Sequence, residues 1–215
     1  MLKLIKKEFA LTLHPTNVVF LFFAAFVFIP NYPYEVMFFF SSLSAYFACL
    51  AGRENGDLFF TCSLPVKKKD VAYARVLFFV ILQIALVLLC ALLSAVKSAL
   101  VDLPNAAGTE ANAVLCANGL VMLGIFNAVF FPAYFARPEK IGKPFVVGAA
   151  AEFVLVALAV TACFAVPFVR DVLDTPDPAH FGAKLVYLAV AAVVYAALTA
   201  FAAARSASNF EKTDL

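Results

Sequence analysis

Apolar residues run along this chain in six long stretches that are separated by short polar segments. Most stretches contain the ~20 residues that a helix needs to cross ~30 Å of hydrocarbon at ~1.5 Å per residue. The pattern therefore predicts an all-α membrane protein, with six transmembrane helices in a single domain over residues 1–215. The stretches are Thr16 to Ile29, Pro33 to Ala51, Ala72 to Val96, Ala113 to Phe135, Pro144 to Phe168 and Lys184 to Ala204. The first is short, so we expect it to begin earlier or to lie where the membrane is thinned.

The composition supports a membrane location. The chain is 65% hydrophobic and 14% charged, and its mean hydropathy is +0.96, so its polar residues are too few to cover a water-soluble globule. Four of the five cysteines lie in apolar stretches, and no CxxC spacing occurs. We expect these cysteines to act as small hydrophobic residues rather than as disulfide or metal ligands. A net charge of +2 gives no reason to expect a nucleic-acid partner.

The positions of the basic residues predict the orientation. If the amino terminus is inside, thirteen of the sixteen lysines and arginines lie on the inner side of the membrane. The other three, Lys97, Arg170 and Lys184, lie in or beside the outer links, which are residues 30–34, 97–112 and 169–183. Short inner loops carry the excess of basic residues in membrane proteins. The sequence therefore predicts an even number of spans and both termini in the cytoplasm.

Residues 1–14 have the pattern of an amphipathic helix. Apolar side chains recur at Leu2, Ile5, Phe9 and Leu13, and basic ones fall on the opposite side. This pattern predicts an interfacial helix that lies along the membrane and ends at His14-Pro15. A plain basic flank of the first span is the alternative. No small-residue cleavage site follows the first apolar run, so we expect the segment to be retained rather than removed as a signal peptide.

The longest polar break in the first half of the chain is Arg53 to Arg75. Asn55 and Asp57 could cap a short helix that continues to Leu64 and is stopped by Pro65. So short a loop cannot bury the helix's apolar side, and we expect Leu58, Phe59 and Phe60 to bind a partner protein or to enter the membrane interface. The lysines at 67–69 are predicted to contact lipid headgroups.

Glu152 lies inside the fifth predicted span, where an ionised carboxylate is costly. A functional interpretation makes it part of a substrate path or a proton site. A structural interpretation keeps it protonated and hydrogen-bonded to Gln83, Asn118 or Asn127. Glu152, Gln83 and Asn127 are therefore a possible intramembrane polar site. The 25 phenylalanines are expected to pack helices and face lipid.

Several catalytic motifs are missing from the sequence. Gly142-Lys143-Pro144 lacks the upstream glycine and the hydroxyl residue of a phosphate-binding GxxxxGK[ST] loop. HExxH and GxSxG motifs do not occur, and both histidines fall outside the apolar stretches. We therefore expect no catalytic residues, no metal and no cofactor in this chain.

The segment from Arg53 to Arg75 resembles the first cytoplasmic loop of ABC-2 type transporter permeases, in particular small six-span bacterial ones. The resemblance is carried by the acidic or amide residue, the short aromatic helix, Ser63-Leu64-Pro65-Val66, the basic cluster and Asp70-Val71 before a new span. It implies that residues 53–71 form a coupling loop, and that Arg75 is the basic residue often found at the start of the next span. The residues that would dock on an ATPase subunit are Gly56, Asp57, Leu58, Phe59, Phe60, Thr61, Cys62, Ser63 and Leu64.

The same resemblance implies the partners. ATP and Mg would be bound by a separate ATPase subunit, and a second permease, identical or paralogous, would complete an exporter in the bacterial inner membrane. Two other functions stay open on the residues alone. One is an ion-coupled secondary transporter that uses Glu152, although the internal repeats typical of such transporters are not evident. The other is a non-transporting accessory or immunity protein.

Overall fold

The computed structural model describes residues 1–100, 105, 107 and 109–213, and the chain is mostly helical throughout this part. The α-helices are α1 (Leu2–Lys7), α2 (Pro15–Leu21), α3 (Val36–Glu54), α4 (Asp57–Cys62), α5 (Lys68–Leu100), α6 (Ala113–Ala136), α7 (Gly142–Ala165) and α8 (Phe181–Glu211). Shorter π-helical segments follow α1 at Glu8–Thr12 and α7 at Val169–Leu173, and a 3₁₀ helix follows α2 at Phe22–Phe28.

Five of these helices, α3 and α5 to α8, are long and apolar enough to cross a membrane. A sixth candidate is the pair Leu2–Thr12 and Pro15–Phe28, which is bent by 90° at the break between its two parts. The backbone of Leu13 is extended there, with ψ of 97°, and Pro15 begins the next helix. The predicted all-α membrane fold is confirmed, and the predicted helix break at His14-Pro15 is present.

The first span, α2 and its continuation, is short in residues but extended in length. Its first seven residues form an α-helix and the next seven a 3₁₀ helix. A 3₁₀ helix rises ~2.0 Å per residue against ~1.5 Å for an α-helix, so the fourteen residues reach about 25 Å. The tighter winding therefore brings a short apolar stretch close to the thickness of the hydrocarbon layer.

Helix α6 lies at the centre of the bundle. In the most apolar eighteen-residue stretch of α6, 72% of the residues are buried within the protein. The corresponding stretches of α7 and α8 are only 17% and 22% buried. Close packing around α6 depends on small residues. A Cβ atom at Gly119 would lie 2.2 Å from the Phe38 ring of α3, and one at Gly148 of α7 would lie 2.9 Å from Phe126. The Asn112 side chain accepts hydrogen bonds from the amides of Val114 and Leu115 and so caps α6.

The links between helices gather at two ends of the bundle. At the end called here the basic end, Arg53 donates to the carbonyl of Glu139 (3.3 Å), and Lys68 donates to that of Thr213 (2.7 Å). At the opposite end, called here the cap end, Asn105 donates to the carbonyl of Tyr32, and Asn112 donates to that of Leu173. The links that were predicted to lie inside therefore meet at the basic end, and those that were predicted to lie outside meet at the cap end.

Lys97 does not belong to an irregular link, because α5 continues to Leu100. Its side chain is buried, donates to the Tyr34 hydroxyl (2.9 Å) and lies 3.9 Å from Glu110. The rest of the predicted link 97–112 lies partly outside the described residues, at 101–104, 106 and 108. Lys184 lies within α8, is also buried, and pairs with Asp177 at 2.8 Å. Arg170 pairs with Asp171 at 2.8 Å, so all three basic residues at the cap end have a carboxylate partner within the protein.

Candidate functional site

A tight turn at the basic end leads from α3 into α4. Helix α3 ends at Glu54, and Gly56 has a φ of +64°, in the left-handed region that favours glycine. The amide of Gly56 donates to the carbonyl of Arg53 (3.2 Å). The chain reverses there and enters the six-residue helix α4. The predicted short helix is present in the polar break, although it ends at Cys62 rather than at Leu64.

Helix α4 has one buried side and one exposed side. Leu58 and Thr61 are 6% and 1% exposed, and Leu58 packs into the apolar core. Phe59 and Phe60 are 68% and 58% exposed, and the exposed fraction of Leu64 is 44%. The expectation that Leu58 faces outward with the two phenylalanines was wrong, because Leu58 fills the space between α4 and the core. The outward apolar surface, called here the aromatic face, consists of Phe59, Phe60 and Leu64.

Asp57 anchors the amino end of α4 to the bundle. Neither Asn55 nor Asp57 caps the helix as expected, since Gly56 occupies the N-cap position and makes no side-chain hydrogen bond there. The Asp57 carboxylate instead accepts a short hydrogen bond from Arg75 Nη2 and lies 2.6 Å from Lys7 Nζ. The carboxylate that was predicted to cap the helix therefore joins α4 to α5 and α1.

Arg75 is the centre of this arrangement, and its side chain is fully buried in the second turn of α5. Its Nε and Nη2 atoms donate to the two carboxylate oxygens of Glu8, at 2.8 Å and 3.3 Å. Its Nη1 atom donates to the Tyr134 hydroxyl of α6 at 3.1 Å. With Asp57, these bonds connect four parts of the fold: the amino-terminal segment, α4, α5 and α6. We call Lys7, Glu8, Asp57 and Arg75 the charge cluster.

The charges in this cluster balance, with two cations and two carboxylates. Burial raises the pKa of the Asp57 carboxyl, but the Arg75 guanidinium and the Lys7 ammonium lower it further, so this pKa lies below its ordinary value. Removal of one member of such a buried group leaves an unpaired charge away from water, which is strongly destabilising. The cluster therefore holds the amino-terminal segment, α4 and α5 in fixed relative positions, and its members do not behave as independent surface ion pairs.

The amino-terminal helix turns its polar side inward. Glu8 and Thr12 are 1% and 5% exposed, and Thr12 accepts a hydrogen bond from Arg75 at 3.3 Å. Leu2 and Leu11 point outward, with exposed fractions of 70% and 65%. Neither Glu8 nor Tyr134 was predicted from the sequence to belong to this site. The signal for Glu8 was present, because it is the one acidic residue in a basic segment of fourteen.

A cavity of about 270 Å³ opens beside α4. Its walls come from the ends of α3 and α6, from α4 and from the link between α6 and α7, and include Gly52, Phe59, Tyr134 and Pro138. The aromatic face is therefore bordered by a recess, and a partner side chain could enter it next to Phe59.

The three residues of the predicted intramembrane polar site are not in one cluster. The buried Glu152 accepts a hydrogen bond from Ser42 of α3 (2.6 Å), so the expected partners Gln83, Asn118 and Asn127 were wrong. Gln83 and Asn127 pair with each other through two hydrogen bonds, of 2.8 Å and 2.9 Å.

Tyr195 and Thr199 bring α8 into this second network. The Tyr195 hydroxyl donates to Gln83 at 2.8 Å, and Asn127 donates to Thr199 at 3.1 Å. Helices α5, α6 and α8 are therefore joined by an amide network that is separate from the Ser42–Glu152 hydrogen bond. Asn118 accepts a hydrogen bond from Tyr187 at 2.9 Å.

The fold and the site define a multi-pass helical membrane protein with a short aromatic helix presented at its basic end. A family model described as an ABC-2 family transporter protein matches residues 3–210, which is nearly the whole chain. The chain belongs to this family and is a permease component of an ABC transporter. No curated protein and no solved structure matches the chain.

Proposed function

We propose that this chain is the transmembrane subunit of an ATP-driven ABC-2 exporter, and that α4 is the surface on which a separate ATPase subunit docks. The observation that carries the proposal is the asymmetry of α4. Phe59 and Phe60 are mostly exposed, whereas Asp57 on the same helix is fixed to the fully buried Arg75. Exposed aromatic residues beside a recess are typical of the anchors of protein interfaces.

The charge cluster explains how a force on α4 would reach the membrane. Movement of α4 away from its resting position would either carry Arg75 and Glu8 with it or separate buried opposite charges. Because separation is costly, the favoured response is joint movement of α4, the start of α5 and the amino-terminal segment. Helix α3 would follow, since only Asn55 and Gly56 separate it from α4.

The proposed function also includes an orientation of the chain in the membrane. With the basic end in the cytoplasm, thirteen of the sixteen basic residues lie inside and both termini are cytoplasmic, in a bacterial inner membrane. Residues 1–14, which bend by 90° before Pro15, would then lie along the inner surface of that membrane. ATP and Mg would bind to the ATPase partner, and a second permease subunit, identical or paralogous, would complete the transport path.

Affinity purification of the tagged chain from its native membrane in mild detergent, with identification of the co-purifying chains, tests the proposal. We expect the intact chain to retain an ABC ATPase and F59A/F60A to lose it. F22A/F164A is the matched control, because Phe22 and Phe164 are 69% and 64% exposed but lie on spans. Retention of the ATPase by F59A/F60A, or absence of any ATPase from the intact complex, would refute the docking assignment.

A further inference from the structure

A second recess at the basic end combines basic and apolar walls. It lies between the end of α6 and the start of α7 and has a volume of about 420 Å³. Arg137, Lys140 and Lys143 line its outer rim, and Val129, Ala133 and Val147 line its deeper wall. We call this recess the basic groove. It is distinct from the cavity beside α4, whose walls contain none of these six residues.

The three cations of the basic groove are exposed and have no carboxylate partner within the part of the chain that the structure describes. Other basic residues at this end differ in this respect. Lys68 donates to the carbonyl of Thr213 at 2.7 Å, and Lys69 lies 3.9 Å from Glu211. The groove therefore concentrates three positive charges that the protein itself does not balance.

Side chains, rather than helix dipoles, set the charge of the groove. The carboxyl end of α6 and the amino end of α7 both lie at its rim, through Ala136 and Lys143. The dipoles of these two ends have opposite signs and offset each other. The net positive charge of the rim is therefore that of Arg137, Lys140 and Lys143.

The apolar wall determines how a ligand in the basic groove would be oriented. Val129 lies seven residues before Ala136, the last residue of α6, which at ~1.5 Å per residue is about 10 Å along the helix. This wall continues from the cationic rim into the membrane-spanning part of α6 and α7, and Ala133 and Val147 on it are exposed. A ligand that matches both parts has an anionic head and an apolar chain that runs parallel to the helices.

We propose that the basic groove binds an anionic phospholipid, with its phosphate among Arg137, Lys140 and Lys143 and an acyl chain along the wall from Ala133 to Val129. Basic residues close to the membrane surface attract anionic lipids, and the exposed wall would otherwise face lipid in any case. The site does not involve α4, so the inference does not depend on the docking of an ATPase.

Lipid retention by the full-length chain in nanodiscs tests this inference. The probes are phosphatidylglycerol and phosphatidylcholine at equal acyl length, measured by native mass spectrometry after release from the disc. We expect preferential retention of phosphatidylglycerol, and at least about a tenfold loss of that preference in R137Q/K140Q/K143Q.

The matched control is R53Q/R205Q/K212Q, which removes three positive charges from exposed residues at the same end but leaves the groove intact. We expect it to keep the preference for phosphatidylglycerol. An equal loss in both triple variants would show general charge attraction and overturn the proposed site. Displacement of phosphatidylglycerol by millimolar inorganic phosphate would also overturn it, because the site would then select a free anion rather than a lipid.

A second variant separates lipid binding from charge and folding. A133W fills the exposed wall of the groove but keeps all three cations, and Ala133 faces outward, so the bundle should keep its thermal stability. We expect A133W to lose phosphatidylglycerol retention although its charge is unchanged. Unchanged retention in this variant would overturn the assignment of the acyl chain to the groove.

Discussion

Arg75 of α5 and Glu8 of the amino-terminal segment, 67 residues apart in sequence, are joined by two hydrogen bonds of 2.8 Å and 3.3 Å. Their side chains are 0% and 1% exposed. A bidentate pair of this kind fixes both the distance and the relative orientation of its partners. Because Asp57 bonds to the same guanidinium, the position of the exposed helix α4 depends on a contact between two other elements.

Loss of Arg75 should therefore destabilise the whole basic end. R75A leaves Glu8 and Asp57 with only Lys7 as a basic partner, and breaking a buried pair in this way costs about 3–5 kcal/mol. We expect a large decrease in the thermal unfolding temperature of the protein in detergent. R53A is the control, because Arg53 is exposed and its pair with Glu54 is loose at 3.8 Å. Equal unfolding temperatures for R75A and R53A would contradict the central role of Arg75.

The stability of the α4 anchor should depend on pH in the acidic range. The pKa of Asp57 is lower in the folded protein than in the unfolded chain, where it is about 3.9. Its stabilising contribution is therefore complete above about pH 4 and is lost as the pH falls through the folded pKa. We expect the unfolding temperature to fall more between pH 5 and pH 3 in the intact protein than in D57N. An identical decrease in both proteins would show that Asp57 does not contribute.

A side chain at Gly56 should be destabilising, although there is space for one. A Cβ atom there would meet nothing within 4 Å, but the φ of +64° is strained for other residues. We expect G56A to lower the stability by about 1 kcal/mol and to weaken the binding of any partner to α4. G142A is the matched control, because Gly142 is also in open space but has no positive φ. Unfolding temperatures should fall for G56A and stay level or rise for G142A.

Glu152 should be replaceable by glutamine. The amide keeps an oxygen acceptor for the Ser42 hydroxyl, which lies 2.6 Å from Glu152 Oε1. We expect E152Q to fold, assemble and transport normally. E152A should lose about 1–3 kcal/mol, since it leaves a buried hydroxyl without its acceptor. Loss of transport in E152Q with normal assembly would instead favour a role for Glu152 in a proton or substrate path.

The spans and the short helix could be predicted because they depend on local composition. Continuous apolar stretches predicted the positions of α3 and α5 to α8, and Pro65 with the polar residues before it predicted α4. Two features of α4 could not be predicted. A helix of six residues is too short for its periodicity to show which side is buried, so Leu58 was assigned to the wrong face. The role of Asp57 depends on Arg75, which is eighteen residues away.

The charge cluster was only partly visible in the sequence. Arg75 was noted as a basic residue at the start of a span, but its partner Glu8 is brought near only by the fold of the amino-terminal segment. The apolar stripe of that segment predicted a helix at the membrane surface, yet it gave no sign that Glu8 and Thr12 face inward. Likewise, Glu152 accepts a hydrogen bond from Ser42 because α3 packs on α7, and the composition of the two helices does not specify that they pack together.

Site-specific photocrosslinking at α4 tests the central claim most directly. The Phe59 side chain is replaced by p-benzoylphenylalanine in the intact assembly in its native membrane, and the control carries the same group at the exposed Phe164, near the end of α7 toward the cap end. We predict an ultraviolet-dependent adduct with an ABC ATPase from position 59 and none from position 164. An assembly that crosslinks to lipid alone from position 59 would contradict the account.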